Sequence, residues 1–321
     1  MRQLPPRWRA TRSRVVLLLA ATALAGCARK EAGSYVVGFS QMESDNPWRL
    51  AETKSLKDEA AKRGIQLVVT DAQGQTAKQV ADVEDLIARK VSLIILAPRE
   101  YDGLAPALQA AKAAKIPVIL IDREAAGKAG EDFITELESD YVEQGRRAGE
   151  WLAAQTNGKA NIVELAGTPG ASVAADRAKG FRDEIAKHPD MKIIASQTGN
   201  FSRATAQGVM QNVAQSLGKQ ITAVYAHNDE MALGAVQALS AAGLKPGTDV
   251  KVLSIDGERA ALEAIDRGEL GASVESNPRF GPLAFDTIEK LRRGETIPPK
   301  ILITDRFFDR ANAKQFIGEA Y

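Results

Sequence analysis

"AAKAAKIPVILIDRE" (110–124) and "ALSAAGLKPGTDVKVLSIDGE" (238–258) read as one passage written twice. Each runs from the end of an alanine-rich helical stretch, through a turn, into an apolar run that ends on an aspartate. The runs "IPVILID" (116–122) and "VKVLSIDGE" (250–258) have the Val/Ile/Leu density of strands buried on both faces. Asp122 and Asp256 thus occupy equivalent places, each just beyond the C-terminal end of a strand. In open parallel sheets, ligands bind outside those ends. Two equivalent ends predict two similar lobes facing one cleft.

The flanking sequence extends the repeat. Before the first passage come "YVVGFS" (35–40), "IQLVVT" (65–70) and "VSLIILAP" (91–98), which read as strands. Amphipathic stretches at about 48–63, 76–90 and 103–115 separate them as helices. The order then recurs. Strands "ANIVELAG" (160–167), "MKIIASQ" (191–197) and "ITAVYAHND" (221–229) alternate with helices at about 172–187, 203–217 and 230–242. The predicted fold is α/β, with two similar doubly wound parallel-sheet lobes. Right-handed crossovers leave each lobe one topology. The repeat is of a whole lobe, not of a short solenoid period.

The chain has 321 residues, net charge +1, two histidines and one cysteine, Cys27. One cysteine excludes an intramolecular disulfide and a cysteine-rich metal site, so no metal or cofactor is expected. The charge balance gives no basic excess for nucleic acid. No GxxxxGK[ST], GxGxxG or GxSxG occurs. Paired carboxylates in a cleft also suit glycoside hydrolysis, but binding without catalysis is the expectation. "GTPG" (167–170) offers backbone N–H groups ahead of a helix, a weak signal without a Lys-Ser/Thr pair.

Before Tyr35 the chain reads differently. Arg2, Arg7, Arg9, Arg12 and Arg14 come before any acidic residue, and "VVLLLAATALAG" (15–26) then runs apolar, too short to span a bilayer. That is an export signal. Leu24-Ala25-Gly26-Cys27 resembles a lipobox, which implies cleavage before Cys27 and lipidation of its thiol; cleavage after Ala25 is the plainer alternative. The tether "ARKEAGS" (28–34) reaches at most ~25 Å.

The loops after the strands carry Asp, Asn, Arg and aromatics: Trp48, Asp122, Arg123, Arg177, Phe201, Asn228 and Asp256. Carboxylates and amides engage adjacent hydroxyls, a guanidinium donates two parallel bonds, and an aromatic ring packs on an apolar ring face. The set suits a polar, uncharged, ring-shaped ligand. Plainer roles stay open. Asp122, Asp256 and Asn228 also suit helix N-caps, Arg177 a surface ion pair, Trp48 a staple at a helix start and Phe201 a loop anchor.

Taken together, "NPW" (46–48), "IDR" (121–123), "GASVAADRAKGF" (170–181), "YAHNDEMALGA" (225–235) and "SIDG" (254–257) resemble the type I periplasmic sugar-binding proteins, solute receptors of ABC importers. The resemblance covers 35–310 and is nearest to the galactofuranose and ribose receptors. It implies stacking by Trp48 and Phe201 and hydroxyl contacts from Asp122, Arg123, Arg177, Asn228 and Asp256. Arg49 matches the galactofuranose pattern. Asp45 and Glu275 are added as polar contacts, with either Glu275 or Ser276 facing the ligand. The implied lobes are 35–138 with 277–303, and 139–276 with 304–321, after a signal (1–26) and a lipidated tether (27–34). The chain is expected to cross between lobes near 137–140, 274–277 and 302–305. The implied partners are a monosaccharide, an importer permease and the membrane through Cys27, with the protein acting as a monomer in the periplasm or cell envelope. A chemoreceptor or sensor kinase is the alternative partner, and a cyclitol or a furanone the alternative ligand. LacI-type regulators share the fold but carry a helix-turn-helix ahead of it; here only the leader precedes Tyr35.

Overall fold

The computed structural model describes Met1, Gln3 and residues 35–321. Apart from Met1 and Gln3, the expected export signal lies outside the described residues, as does Cys27. No helix among the described residues is long and apolar enough to cross a membrane.

The first sheet contains β1 (Val36–Gln41), β2 (Gln66–Asp71), β3 (Leu93–Leu96), β4 (Val118–Ile121) and β5 (Glu136–Ser139). Its helices are α1 (Pro47–Lys62), α2 (Thr76–Ala88) and α3 (Ala105–Ala113). The short strands β3 and β4 are fully buried, and their side chains divide by parity. Leu93, Ile95, Ile119 and Ile121 pack with Leu56 and Ala60 of α1. Ile94, Leu96, Val118 and Leu120 pack with Leu86 of α2 and Leu108 of α3. A strand with a core on each face has no polar side to show, which is why these runs carry no alternation.

The second sheet repeats the plan with β6 (Lys159–Ala166), β7 (Asp190–Thr198), β8 (Ala223–Ala226), β9 (Lys251–Asp256) and β10 (Ala272–Glu275). Helices α4 (Tyr141–Thr156), α5 (Ser172–Ile185), α6 (Arg203–Leu217), α7 (Asp229–Ala241) and α8 (Arg259–Arg267) flank it. After β10 the chain returns to the first sheet as α9 (Gly281–Arg292), packed on α1, and β11 (Lys300–Ile303). It ends on the second sheet with β12 (Phe307–Asp309) and α10 (Ala313–Phe316).

The strand orders are β11-β5-β4-β3-β1-β2 and β12-β10-β9-β8-β6-β7. Element by element they are the same order, with β4 and β9 in corresponding places. The copies differ at one edge: β11 pairs parallel to β5, whereas β12 pairs antiparallel to β10. The chain passes between the sheets three times, at β5 to α4, β10 to α9 and β11 to β12.

Candidate ligand-binding site

The strand ends of both sheets converge on one cleft, lined by Asn46, Trp48, Arg49, Asp122, Arg123, Val173, Arg177, Phe201, Asn228 and Asp256. It encloses about 320 Å³ free of protein atoms, part of it open to solvent.

From the first sheet, Asn46 caps α1, its side chain accepting from Arg49 N at 2.9 Å ahead of Pro47 in the first turn. This cap fixes the turn carrying Trp48 and Arg49. Trp48 Nε1 donates to the Ser276 carbonyl at 2.8 Å, in the crossing between β10 and α9. The buried Arg49 guanidinium stands 4.5 Å from the Trp48 ring centre. It forks between Glu52 Oε2 at 3.0 Å and Asp122 Oδ2 at 2.5 Å.

Asp122 follows β4 with φ +66°. No helix follows, so it is not an N-cap. Its Oδ1 accepts from the Tyr141 hydroxyl at 3.1 Å. Burial raises its pKa, but Arg49 and Arg123 outweigh that and hold the carboxyl below its usual range. Arg123 donates to the Arg99 carbonyl at 2.9 Å and lies 5.2 Å from the centre of the Phe201 ring. Its buried Nε has no hydrogen-bond partner among the described residues. Burial and Arg49 push Arg123 down to about 10, so it stays charged at neutral pH.

The second sheet supplies a matching set. Arg177 projects from α5, whose backbone touches that of α4. A Cβ on Gly145 would meet the Arg177 carbonyl at 2.2 Å, and one on Gly180 would meet the Val142 carbonyl at 1.9 Å. Arg177 donates to Gln144 Oε1 at 2.9 Å and the His227 carbonyl at 2.6 Å, and pairs with Asp256 at 3.4 Å. Gln144 in turn donates to Asp305 at 2.7 Å and the Glu275 carbonyl at 3.1 Å, joining Arg177 to two of the crossings. Asp256 ends β9 at φ +137°, a backbone region that costs a non-glycine residue about 1–3 kcal/mol. Glu258 borders α8 instead, so Asp256 is no helix cap. Burial pushes its carboxyl well above the usual range, against the pull of Arg177.

Asn228 is both an N-cap and a wall of the cleft. Its Oδ1 accepts from Met231 N at 2.9 Å, while Nδ2 donates to the Phe201 carbonyl at 3.2 Å. Phe201 itself has φ +57°, and its ring lies where a Cβ on Gly167 would fall.

Each sheet therefore contributes one arginine from its first long strand-to-strand helix, α1 or α5, paired with the aspartate at the end of its fourth strand. Sequence reading found the aspartates' equivalence but not this pairing of Arg49 with Asp122 and Arg177 with Asp256.

Two expected residues stand elsewhere. The Glu275 carboxylate is held by Arg306, through Nε at 3.0 Å, Nη2 at 2.7 Å and the backbone N at 2.8 Å, and does not line the cleft. Ser276 meets the site only through its carbonyl on Trp48. Asp45 is exposed and lines a neighbouring recess with Glu43, Asn200 and Arg203. Asn46 and Val173 line the cleft without having been singled out. Asn46 adjoins Pro47, a readable cap signal; Val173 carries none.

Chemically, the cleft offers guanidinium donors, carboxylate acceptors and two aromatic rings. Residues 37–296 match the model of the periplasmic binding protein domain. The galactofuranose-binding protein YtfQ of Escherichia coli (strain K12) is 43% identical over 90% of this chain and 92% of its own length. The ribose import binding protein RbsB of Bacillus subtilis (strain 168) is 34% identical over 83% of this chain and 85% of its own. A solved structure of the periplasmic binding protein of the arabinose ABC transporter from Shewanella sp. ANA-3, bound to α- and β-L-arabinofuranose, superposes with TM-score 0.86 at 42% identity, covering 88% of this chain and 95% of that one. With a doubled parallel-sheet topology, a cleft at the strand ends and relatives matched over nearly their whole length, the chain belongs to the type I periplasmic binding proteins, and it is a binding protein rather than an enzyme.

Proposed function

We propose that the protein is an extracytoplasmic sugar receptor, which takes one monosaccharide, a galactofuranose-like sugar or a pentose, and delivers it to an ABC importer. The observation that carries this reading is the facing pair of Arg–Asp units, Arg49 with Asp122 and Arg177 with Asp256, beside Trp48 and Phe201. Vicinal hydroxyls match guanidinium forks and carboxylates, and a ring's C–H face matches the indole or phenyl. Asp45 and Glu275 are outside this ligand shell.

The lobes are drawn as 35–138 with 277–303 and 139–276 with 304–321. Closure is favoured because the ligand contacts both lobes only when they approach. The leader directs export, and lipidation of Cys27 holds the monomeric receptor at the membrane beside its permease. Replacing Cys27 with alanine should release it; unchanged membrane association would remove the anchor.

The test of the ligand is calorimetric titration with galactose, arabinose, ribose, glucose and myo-inositol. Tight one-to-one binding of galactose or arabinose, with ribose weak, supports the furanose reading. Ribose alone moves the protein to the ribose receptors. Silence from folded protein refutes sugar capture.

A further inference from the structure

Asp229 opens α7 directly after Asn228 and is completely buried, yet it does not line the cleft. Its Oδ1 accepts from the hydroxyls of Ser254 and Ser273, the latter at 2.7 Å. Its Oδ2 accepts from the backbone N–H of Gly257 at 2.7 Å and of Glu258 at 2.8 Å. The donors come from β9, from β10, and from the turn leading into α8. Ser254 and Ser273 are register partners on adjacent strands, so both hydroxyls reach the same carboxylate.

An acid in the first turn of a helix ordinarily complements its own helix's N–H groups. Asp229 instead spends its hydrogen bonds on other elements. The turn it grips holds Asp256 at φ +137° and Gly257 at φ +80°. Gly257 has no room for a side chain either, since a Cβ there would meet the Phe308 ring at 2.7 Å. Such a backbone persists only where its surroundings over-determine it. Without the carboxylate, the buried Glu258 N–H loses its acceptor, the Gly257 N–H keeps only the Ser273 hydroxyl at 3.0 Å, and the turn is free to relax, carrying the Asp256 side chain away from Arg177.

We propose that Asp229 is a positioning residue for ligand binding, fastening the 256–258 turn to the start of α7 so that Asp256 faces the ligand from a fixed backbone. The proposal rests on the sugar-receptor reading for its functional consequence, but not for the fastening itself.

Two measurements separate these. The first is hydrogen exchange on the sugar-free protein. Asp229→Ala should lower protection of the Gly257 and Glu258 amides at least tenfold, with the β6 and β8 amides unchanged. Unaltered protection at those two amides overturns the fastening. The second is calorimetry with arabinose and galactose. Asp229→Ala should weaken binding about thirtyfold or more, and Asp229→Asn, which keeps an acceptor for the amides, should recover most of the loss. In an Asp256→Ala background, adding Asp229→Ala should change affinity by less than threefold, because there is then no polar side chain on the turn left to aim. A full additive loss in that background overturns the positioning role. If ribose alone binds, it replaces them as the probe; a wild type that binds none of the five compounds refutes the receptor reading alone, and the exchange result still judges the fastening. If the alanine variant does not fold, Ser273→Ala takes its place. It removes one donor to Asp229 and the second acceptor of the Gly257 N–H, and should give a severalfold loss of affinity that disappears in the Asp256→Ala background; persistence of that loss overturns the proposal.

Discussion

Arg177→Met removes a buried guanidinium while keeping much of its apolar stem. A guanidinium has five N–H donors. Three of them serve Gln144, the His227 carbonyl and Asp256, the last at a long 3.4 Å. Two remain for the cleft. Removing one partner of a buried ion pair costs about 3–5 kcal/mol. The cost here should fall at the lower end, about 3 kcal/mol, because Asp256 already leans toward its protonated form and takes up a proton once Arg177 is gone. Two charge-assisted bonds to ligand hydroxyls are worth about 1.5–3 kcal/mol each. Their loss predicts a Kd raised by about 10²–10⁴. The assay is calorimetry with arabinose and galactose, run beside thermal unfolding of the same samples. A folded variant that binds within threefold of the wild type would show that the Arg177 fork does not reach the ligand.

Three further outcomes follow from buried charge and close packing. Glu164 is fully buried and is held at about 2, its burial cost outweighed by hydrogen bonds with His227, Arg182 and Ser196. A depressed carboxylate stabilises the fold above its ordinary pKa and loses that contribution as pH falls through the folded value. Glu164→Gln should therefore cost about 3 kcal/mol at pH 7 in chemical denaturation and progressively less as the pH is lowered toward about 2; an equal cost throughout would count against it. Glu52 is pushed up to about 7, first by burial and against the pull of Arg49. A raised carboxyl has the opposite sign, with stability fully present below the ordinary value and lost as pH rises through the folded one. The Tm of Glu52→Gln relative to wild type should accordingly improve from about pH 5 to about pH 8, and a constant difference would refute ionisation of Glu52 in that range. Gly180→Ala places a Cβ against the Val142 carbonyl, so α4 and α5 must separate, at about 1–3 kcal/mol or more. Both Tm and sugar affinity should fall, because α5 carries Arg177; a native Tm would refute the backbone contact.

The alternation of strand and helix was legible because the central strands carry no polar face, and the doubled ending of the two passages pointed to Asp122 and Asp256. What escaped reading were groups whose role depends on a distant partner. Glu52 sits three residues after Arg49 inside a charged helix and looks like a solvated acid; only the fold places it behind the guanidinium with Gln41. Gln144 lies in "YVEQGRRAGEW" (141–151) among ordinary helix residues, and its link from Arg177 to Asp305 spans the chain. Glu275 was misplaced because Arg306 arrives from the last crossing, which no local pattern announces. Asp45 stands beside the cap that orders α1, and one residue's offset at a loop tip turns it to solvent.

Trp48 has a practical consequence. Its indole N–H is tied to the crossing through Ser276, its ring lies under the Arg49 guanidinium, and it lines the cleft. Of the other two tryptophans, Trp8 is outside the described residues, and Trp151 packs in α4 against Gly271, away from the cleft lining. The receptor thus carries a built-in optical gauge. Sugar-dependent emission should survive replacement of Trp151 by phenylalanine and vanish on the same change at Trp48, which lets sugar binding be timed in a stopped-flow cell without attaching a dye.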